Sequence, residues 1–298
     1  MKLYYEGTDM SPYVNIERCV HRDTVGRADV LEMELDCAAA WYRWKPQVDD
    51  KISLTHEGYD TGTLYLSAVL PEGDKFRIMA ASIPASVHKS QWKSYEKQTL
   101  GGIVSQCAAE CGMSGALYGV PSYQYEYMLR RNEKAAAFIV RLGVMEGYVV
   151  KAYGGAIRCV GFDYAAGRAA VDKMSITTLQ DGARYVRSEA LKYKSVTVTS
   201  PYGDGAASDS SVSHSAQYTA DDFPATDGGQ SARWAQGLLR SHNRMAESLT
   251  VESTFRPALT ALAGVTVDGG TDADGLWLCE DVKHDFVNNR TVAKMLRA

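Results

Sequence analysis

The sequence predicts a mainly β protein with an α+β insert, and three features of its 298 residues carry that prediction. Short apolar runs bounded by turn residues recur through the first part of the chain at intervals of roughly ten residues. After Pro84 the apolar period becomes that of helices, and beyond about Ala166 strand-like runs return. The layout is therefore β, then α+β, then β with one helix.

The first module spans residues 1–90. Val30, Met33 and Leu35 lie along a turn-free run, and Ile52 and Leu54 continue the alternation. Leu64 to Leu66 follow the turn-rich stretch Gly58 to Gly62, and Phe76, Ile78 and Met79 follow the turn Pro71 to Asp74. Such spacing suggests a barrel or sandwich. The insert spans 91–165. Leu100, Ile103, Val104, Cys107, Ala108 and Cys111 fall at helical spacing, with Thr99 as N-cap and Gly112 as stop. A second amphipathic helix begins near Asn132, carries Ala135, Phe138, Ile139 and Leu142, and ends by Gly147. Two strand-like runs, Tyr148 to Tyr153 and Ala156 to Val160, flank Gly154-Gly155 and read as a hairpin.

The last module spans 166–298. Met174 to Leu179 and Ser195 to Thr199 read as strands, and Tyr202 to Gly229 is polar enough to be expected as a long mobile loop. A third helix follows Ser231, with Ala232, Ala235, Leu238 and Leu239 on one face. Strands are expected around Leu249 to Phe255, Val265 to Val267, Leu276 to Val282 and Thr291 to Leu296.

Composition narrows the function. With 32 Lys and Arg against 36 Asp and Glu, the net charge of −4 and the lack of a basic run disfavour sequence-wide phosphate binding. The opening stretch carries charges and a proline where a signal peptide needs an apolar core. The longest apolar run, Ala135 to Val140, is far below the ~20 residues of a spanning helix, so a soluble protein without membrane insertion is expected. The six cysteines, Cys19, Cys37, Cys107, Cys111, Cys159 and Cys279, lack zinc-site spacing and read as buried thiols made in a reducing cytoplasm.

No residue pattern in the chain marks a catalytic, cofactor-binding or metal site. Carboxylate pairs such as Glu32 with Glu34 or Asp221 with Asp222 are too common in this chain to signal a glycosidase. Asp268 to Gly275 resembles a calcium loop, but its twelfth position is Cys279 where a Glu is required, so a hairpin turn is the better reading. Ser213-His214-Ser215 lacks a strand-turn-helix frame, and His21, His56, His88, His214, His242 and His284 are singletons. Gly101-Gly102 sits in a helical pattern with no phosphate-loop lysine.

Several phrases stand in collinear order over most of the chain: Ala39 to Pro46, Asp50 to Leu54 and Thr61 to Leu66, then Ser82 to Pro84 leading to Tyr95 to Leu100. Tyr123 to Leu142 follows, with Asn132 to Ile139 as its helix opening, and then Ala232 to Ala235 and Asp274 to His284. Together they resemble the late control gene D family, the tail hub proteins of contractile phages; the hub half of type VI secretion spike proteins is similar. Asp49-Asp50 departs mildly from that family's usual Gly-Asp. The resemblance implies two tail-tube-like β-barrels around a small α+β insert. It further implies a homotrimer whose six barrels form a ring between the hexameric tail tube and the trimeric central spike. Baseplate wedge and tape-measure proteins would be further partners, DNA would touch it only in passing, and the location would be the virion tail baseplate. No enzyme activity is implied.

Two other functions fit less well. A tail-associated cell-wall hydrolase would need a separate catalytic module, and the β, α+β, β plan leaves no spare segment of about 100 residues. A carbohydrate-binding adhesin would use exposed aromatics, yet Tyr123, Tyr125 and Tyr127 alternate as in a strand or subunit contact.

Overall fold

In a computed structural model, described for residues 1–298 except 37–42, 44, 88, 180–181 and 222–224, the first module is a sheet of antiparallel strands. Its strands are β1 (Lys2–Tyr5), β2 (Thr8–Asp9), β3 (Asn15–Thr24), β4 (Val30–Asp36), β5 (Lys51–His56), β6 (Tyr59–Asp60), β7 (Leu64–Glu72) and β8 (Lys75–Ala81). Successive strand side chains point to opposite faces, so Leu31, Met33 and Leu35 of β4 and Phe76, Ile78 and Ala80 of β8 turn inward together. With Leu3, Ile52, Leu54, Leu64 and Leu66 they make the first core.

The insert follows as β9 (Gln91–Thr99), α1 (Leu100–Glu110), β10 (Ser114–Tyr118), β11 (Gln124–Glu133), α2 (Ala135–Glu146), β12 (Tyr148–Tyr153), β13 (Ala156–Gly161) and the short α3 (Phe162–Ala166). The Thr99 hydroxyl accepts from the Gly102 amide at 3.1 Å and satisfies one of the free amides that open α1. At the other end of α2, Gly147 takes φ +78°, the left-handed cap that a side chain would oppose. The β12–β13 hairpin turns at Gly154-Gly155 as its sequence indicates.

The remaining elements are β14 (Asp172–Ser175), β15 (Ala183–Arg187), β16 (Ser195–Val198), β17 (Gly205–Ser208), β18 (Gln217–Ala220), α4 (Gly228–Asn243), β19 (Glu247–Thr254), β20 (Gly264–Asp268), β21 (Gly275–Asp285) and β22 (Arg290–Arg297). Two expectations change here. The stretch Tyr202 to Gly229 is not one loop: β17 and β18 flank β16 in a small sheet, because each contributes one or two inward residues although its composition is polar. Nor does this segment belong to the core of the last module. Val196, Val198, Ala220, Trp234, Ala235, Leu238 and Leu239 share a core with α1 and α2, so β16, β18 and α4 pack onto the insert.

The β elements at the two ends of the chain also merge. Strand order runs β15-β19-β22-β21-β3-β4-β8-β7-β5-β1-β2 in one sheet of fourteen described strands, with β20 beside β21, β14 beside β20 and β6 beside β5. The eleven residues of β21 make this possible, since the register shifts between Cys279 and Asp281. Before the bulge β21 pairs with β20, and after it with β3. The last module keeps a core of its own around Leu249, Val265, Trp277, Val282 and Met295.

Glu146, at the end of α2, fixes α4. Its carboxylate is fully buried and accepts from Arg233 Nε (2.9 Å) and Nη2 (3.1 Å), Trp234 Nε1 (2.7 Å) and the Tyr125 hydroxyl (2.7 Å). Close approach of the two helices requires a glycine, because a Cβ on Gly237 would lie 2.1 Å from the Met145 carbonyl oxygen. The variant Gly237→Ala is expected to lose at least the ~1–3 kcal/mol typical of overpacking. Urea unfolding should show the lower midpoint, and an unchanged midpoint would contradict this packing.

Candidate assembly site at the inter-module seam

Residues of all three modules meet at one seam. Antiparallel pairing of β21 with β3 sets His284 opposite His21 and Val282 opposite Asp23. Around this pairing the Tyr59 ring lies 4.4 Å from His284, 5.7 Å from His21 and 5.7 Å from Phe286, centroid to centroid, with Phe255 and His56 alongside. Tyr59 comes from the first module, while His284, Phe255 and Phe286 come from the last, so the ring cluster joins the two.

The histidines are structural groups. His284 Nε2 lies 2.9 Å from the Leu259 carbonyl, which can only accept, so this nitrogen carries the proton and Nδ1 accepts from the Thr291 hydroxyl at 2.9 Å. Burial lowers the pKa of His284 and pushes that of His21 down to about 3 against the opposing pull of Asp23, so both rings are neutral at pH 7. His21 Nδ1 bonds the Tyr59 hydroxyl at 2.8 Å.

Beside the rings is a buried charge cluster. Lys151, on β12 of the insert, bonds both Asp23 at the end of β3 and Asp29 in the β3–β4 turn, and its ammonium also reaches the Thr24 carbonyl at 3.3 Å. Asp23 Oδ2 accepts from the Ala261 amide of the last module at 3.1 Å. One lysine thus ties the insert to the first module, and through Asp23 to the last. Consecutive amides repeat the arrangement: Val25 donates to Glu280, at the β21 bulge, and Gly26 donates to Val150 of β12. Two carboxylates share one cation. Burial, reinforced by Asp23 and opposed by Lys151, raises the Asp29 carboxyl to about 7.

The motifs weighed in the sequence take ordinary places. In the turn after β20 the carbonyls of Asp272 and Asp274 accept from the Arg297 guanidinium at 2.9 and 2.7 Å, so the calcium-like stretch is a hairpin turn holding a side-chain cation. Asp274 itself caps the Gly270 amide at 2.9 Å. His214 is used twice on backbone, with Nε2 2.8 Å from the Glu189 carbonyl and Nδ1 3.2 Å from the Ala216 amide. Glu34 is paired with Lys75 and Glu32 with Arg18. Trp234 and Trp277 are fully buried, and the five described cysteines are free and buried. Cys37, Trp41, Trp44, His88 and Asp222 lie outside the described residues, as does most of the Ala39 to Pro46 phrase. No group of three or more potential metal ligands forms among the described residues.

No signal in the sequence marked the seam, since His21, Tyr59, Lys151 and His284 are far apart along the chain and meet only in space. Lys151 does interrupt an otherwise apolar strand-like run, Tyr148 to Tyr153.

The fold is similar to that of phage tail proteins of known structure. No family model and no curated protein matches the sequence. Among solved structures, the 43 kDa tail protein of prophage MuSo2 from Shewanella oneidensis superposes with a TM-score of 0.73 at 13% identity, over 99% of this chain and 98% of that one. A tail protein from Neisseria meningitidis MC58 gives 0.75 at 11% identity, over 99% and 95%. A component of the E. coli type VI secretion system, described as similar to T4 bacteriophage tail proteins, gives 0.58 at 13%, over 100% and 77%. The resemblance found in the sequence is therefore met in the fold.

Two variants test the seam. Lys151→Met leaves two buried carboxylates without their cation and should cost about 3–5 kcal/mol of stability, read by urea unfolding; a loss below about 1 kcal/mol would remove Lys151 from this role. Asp29→Asn tests the titration. A carboxyl raised in the folded state stabilises most below its unfolded value of 3.8, and this contribution is lost as pH rises to about 7. His21, lowered by burial, acts in the opposite direction and loses stability as pH falls below 6.5 toward about 3. The difference between the Asp29→Asn variant and wild type isolates the carboxyl: it should grow in favour of the variant from about pH 4 to pH 7 and then level off.

Proposed function

We propose that this chain is the structural hub of a contractile tail baseplate, resident in the virion tail and without catalytic activity. The observation that carries the reading is the end-to-end superposition on phage tail proteins, which covers 99% of this chain. In this reading the β elements of residues 1–90 and of 166–298, the latter without 193–243, curl into two tube-like barrels. Three copies set six barrels in a ring. A ring of that kind adapts a sixfold tail tube to a threefold central spike, and it leaves no sheet edge free to aggregate. The terminal strands of the described sheet, β15 at one end and β2 at the other, are the edges a neighbouring subunit would meet. Wedge and tape-measure proteins are the remaining partners, and DNA makes at most passive contact, as suits a net charge of −4.

Purified protein is expected to sediment as a trimer, alone or with its spike partner, and to give pseudo-hexagonal rings in electron micrographs. A monomer under every partner condition would contradict the proposal, and so would a clear lysis band on a peptidoglycan zymogram.

A further inference from the structure

Beside the seam, a cleft of about 590 Å³ opens between the insert and the Thr260 to Gly264 segment of the last module. Its charged lining is unbalanced. Asp23 and Lys151 reach it, but both are bound within the buried cluster with Asp29. The other two charges are Arg158 and Arg168, and neither pairs with a carboxylate among the described residues. Arg158 is half-buried, donates one Nη1 bond to the Tyr153 carbonyl at 2.6 Å and lies 5.7 Å from the Tyr153 ring, which holds the guanidinium in place with donors to spare. Arg168 is exposed.

The rim is aromatic and apolar. Tyr118 and Tyr164 have ring centroids 6.2 Å apart and are 40% and 45% exposed, and Val171 is 53% exposed. Preplaced tyrosines next to arginines that lack a counter-ion have the composition of an interface hot spot. A nucleic acid would need a longer run of cations than two. A neutral sugar would stack on the tyrosines and leave both guanidinium groups unmatched. A polypeptide carrying carboxylates and apolar side chains matches both halves, because a guanidinium fork binds a carboxylate bidentately.

We propose that this cleft docks an acidic segment of another protein, with its carboxylates on Arg158 and Arg168 and an apolar or aromatic side chain against Tyr118, Tyr164 and Val171. The inference stands apart from the hub reading, since it concerns the surface of a single chain whatever its oligomeric state.

Fluorescence anisotropy with a labelled random copolymer of glutamate and tyrosine tests it on the full chain. Saturable binding is expected, weakened by about tenfold or more in the Arg158→Gln, Arg168→Gln double variant. Arg168→Gln alone, which touches no internal bond, should weaken it in the same direction, and Tyr118→Ala with Tyr164→Ala should weaken it at an unchanged unfolding temperature. Polyphosphate and a lysine–tyrosine copolymer serve as comparison probes and should bind more weakly. The proposal is overturned by absence of saturable binding to the glutamate–tyrosine copolymer or by affinity that survives loss of both arginines. Polyphosphate binding of equal strength, indifferent to the two tyrosines, would also overturn it by showing a bare electrostatic attraction.

Discussion

Lys151 between Asp23 and Asp29 is the constraint on which the arrangement of modules depends. A buried ammonium loses the solvation of water and regains it only if carboxylates stand in the right places. Here those carboxylates belong to another module, so the insert can be docked in one orientation relative to β3 and its turn. The amides of Val25 and Gly26 bond in the same two directions, to the last module and to the insert. Charge and backbone therefore fix the same geometry. Burial, reinforced by the second carboxylate of Asp23 and opposed by Lys151, raises the Asp29 carboxyl to about 7.

Apolar packing supplies the rest of the adhesion. The bulge in β21 lets one strand serve two partners, β20 before it and β3 after it, and the cluster of Tyr59, Phe255, Phe286 and three histidines packs where β21 pairs with β3. Imidazoles are suited to such a place only when neutral, and burial keeps His21 and His284 so. One continuous sheet thereby joins strands from the two ends of the chain.

Much of the fold was legible from short stretches of chain. Thr99, the Gly154-Gly155 turn and the apolar faces of α1, α2 and α4 mark those elements directly, because capping, turn geometry and amphipathic period are set by residues a few positions apart. The polar stretch around β17 and β18 was harder. Each has four residues and little apolar content, so its strand character comes from pairing with β16, which local composition does not encode. The seam was invisible for the same reason on a larger scale, as His21 and His284 are 263 positions apart.

Local patterns in the chain are enough to set the β, α+β, β order, the burial of the five described thiols, the turn at Asp268 to Gly275 and a family resemblance that the fold meets. These rest on short-range spacing and on residue chemistry. Folding in three dimensions had to settle that the end modules share one sheet, that β16, β18 and α4 pack onto the insert, and that Lys151 meets two aspartates across the seam. Those outcomes depend on long-range pairing, in which strand edges and buried charges select their partners by the free energy of the whole fold, and no local window of sequence contains both members of such a pair.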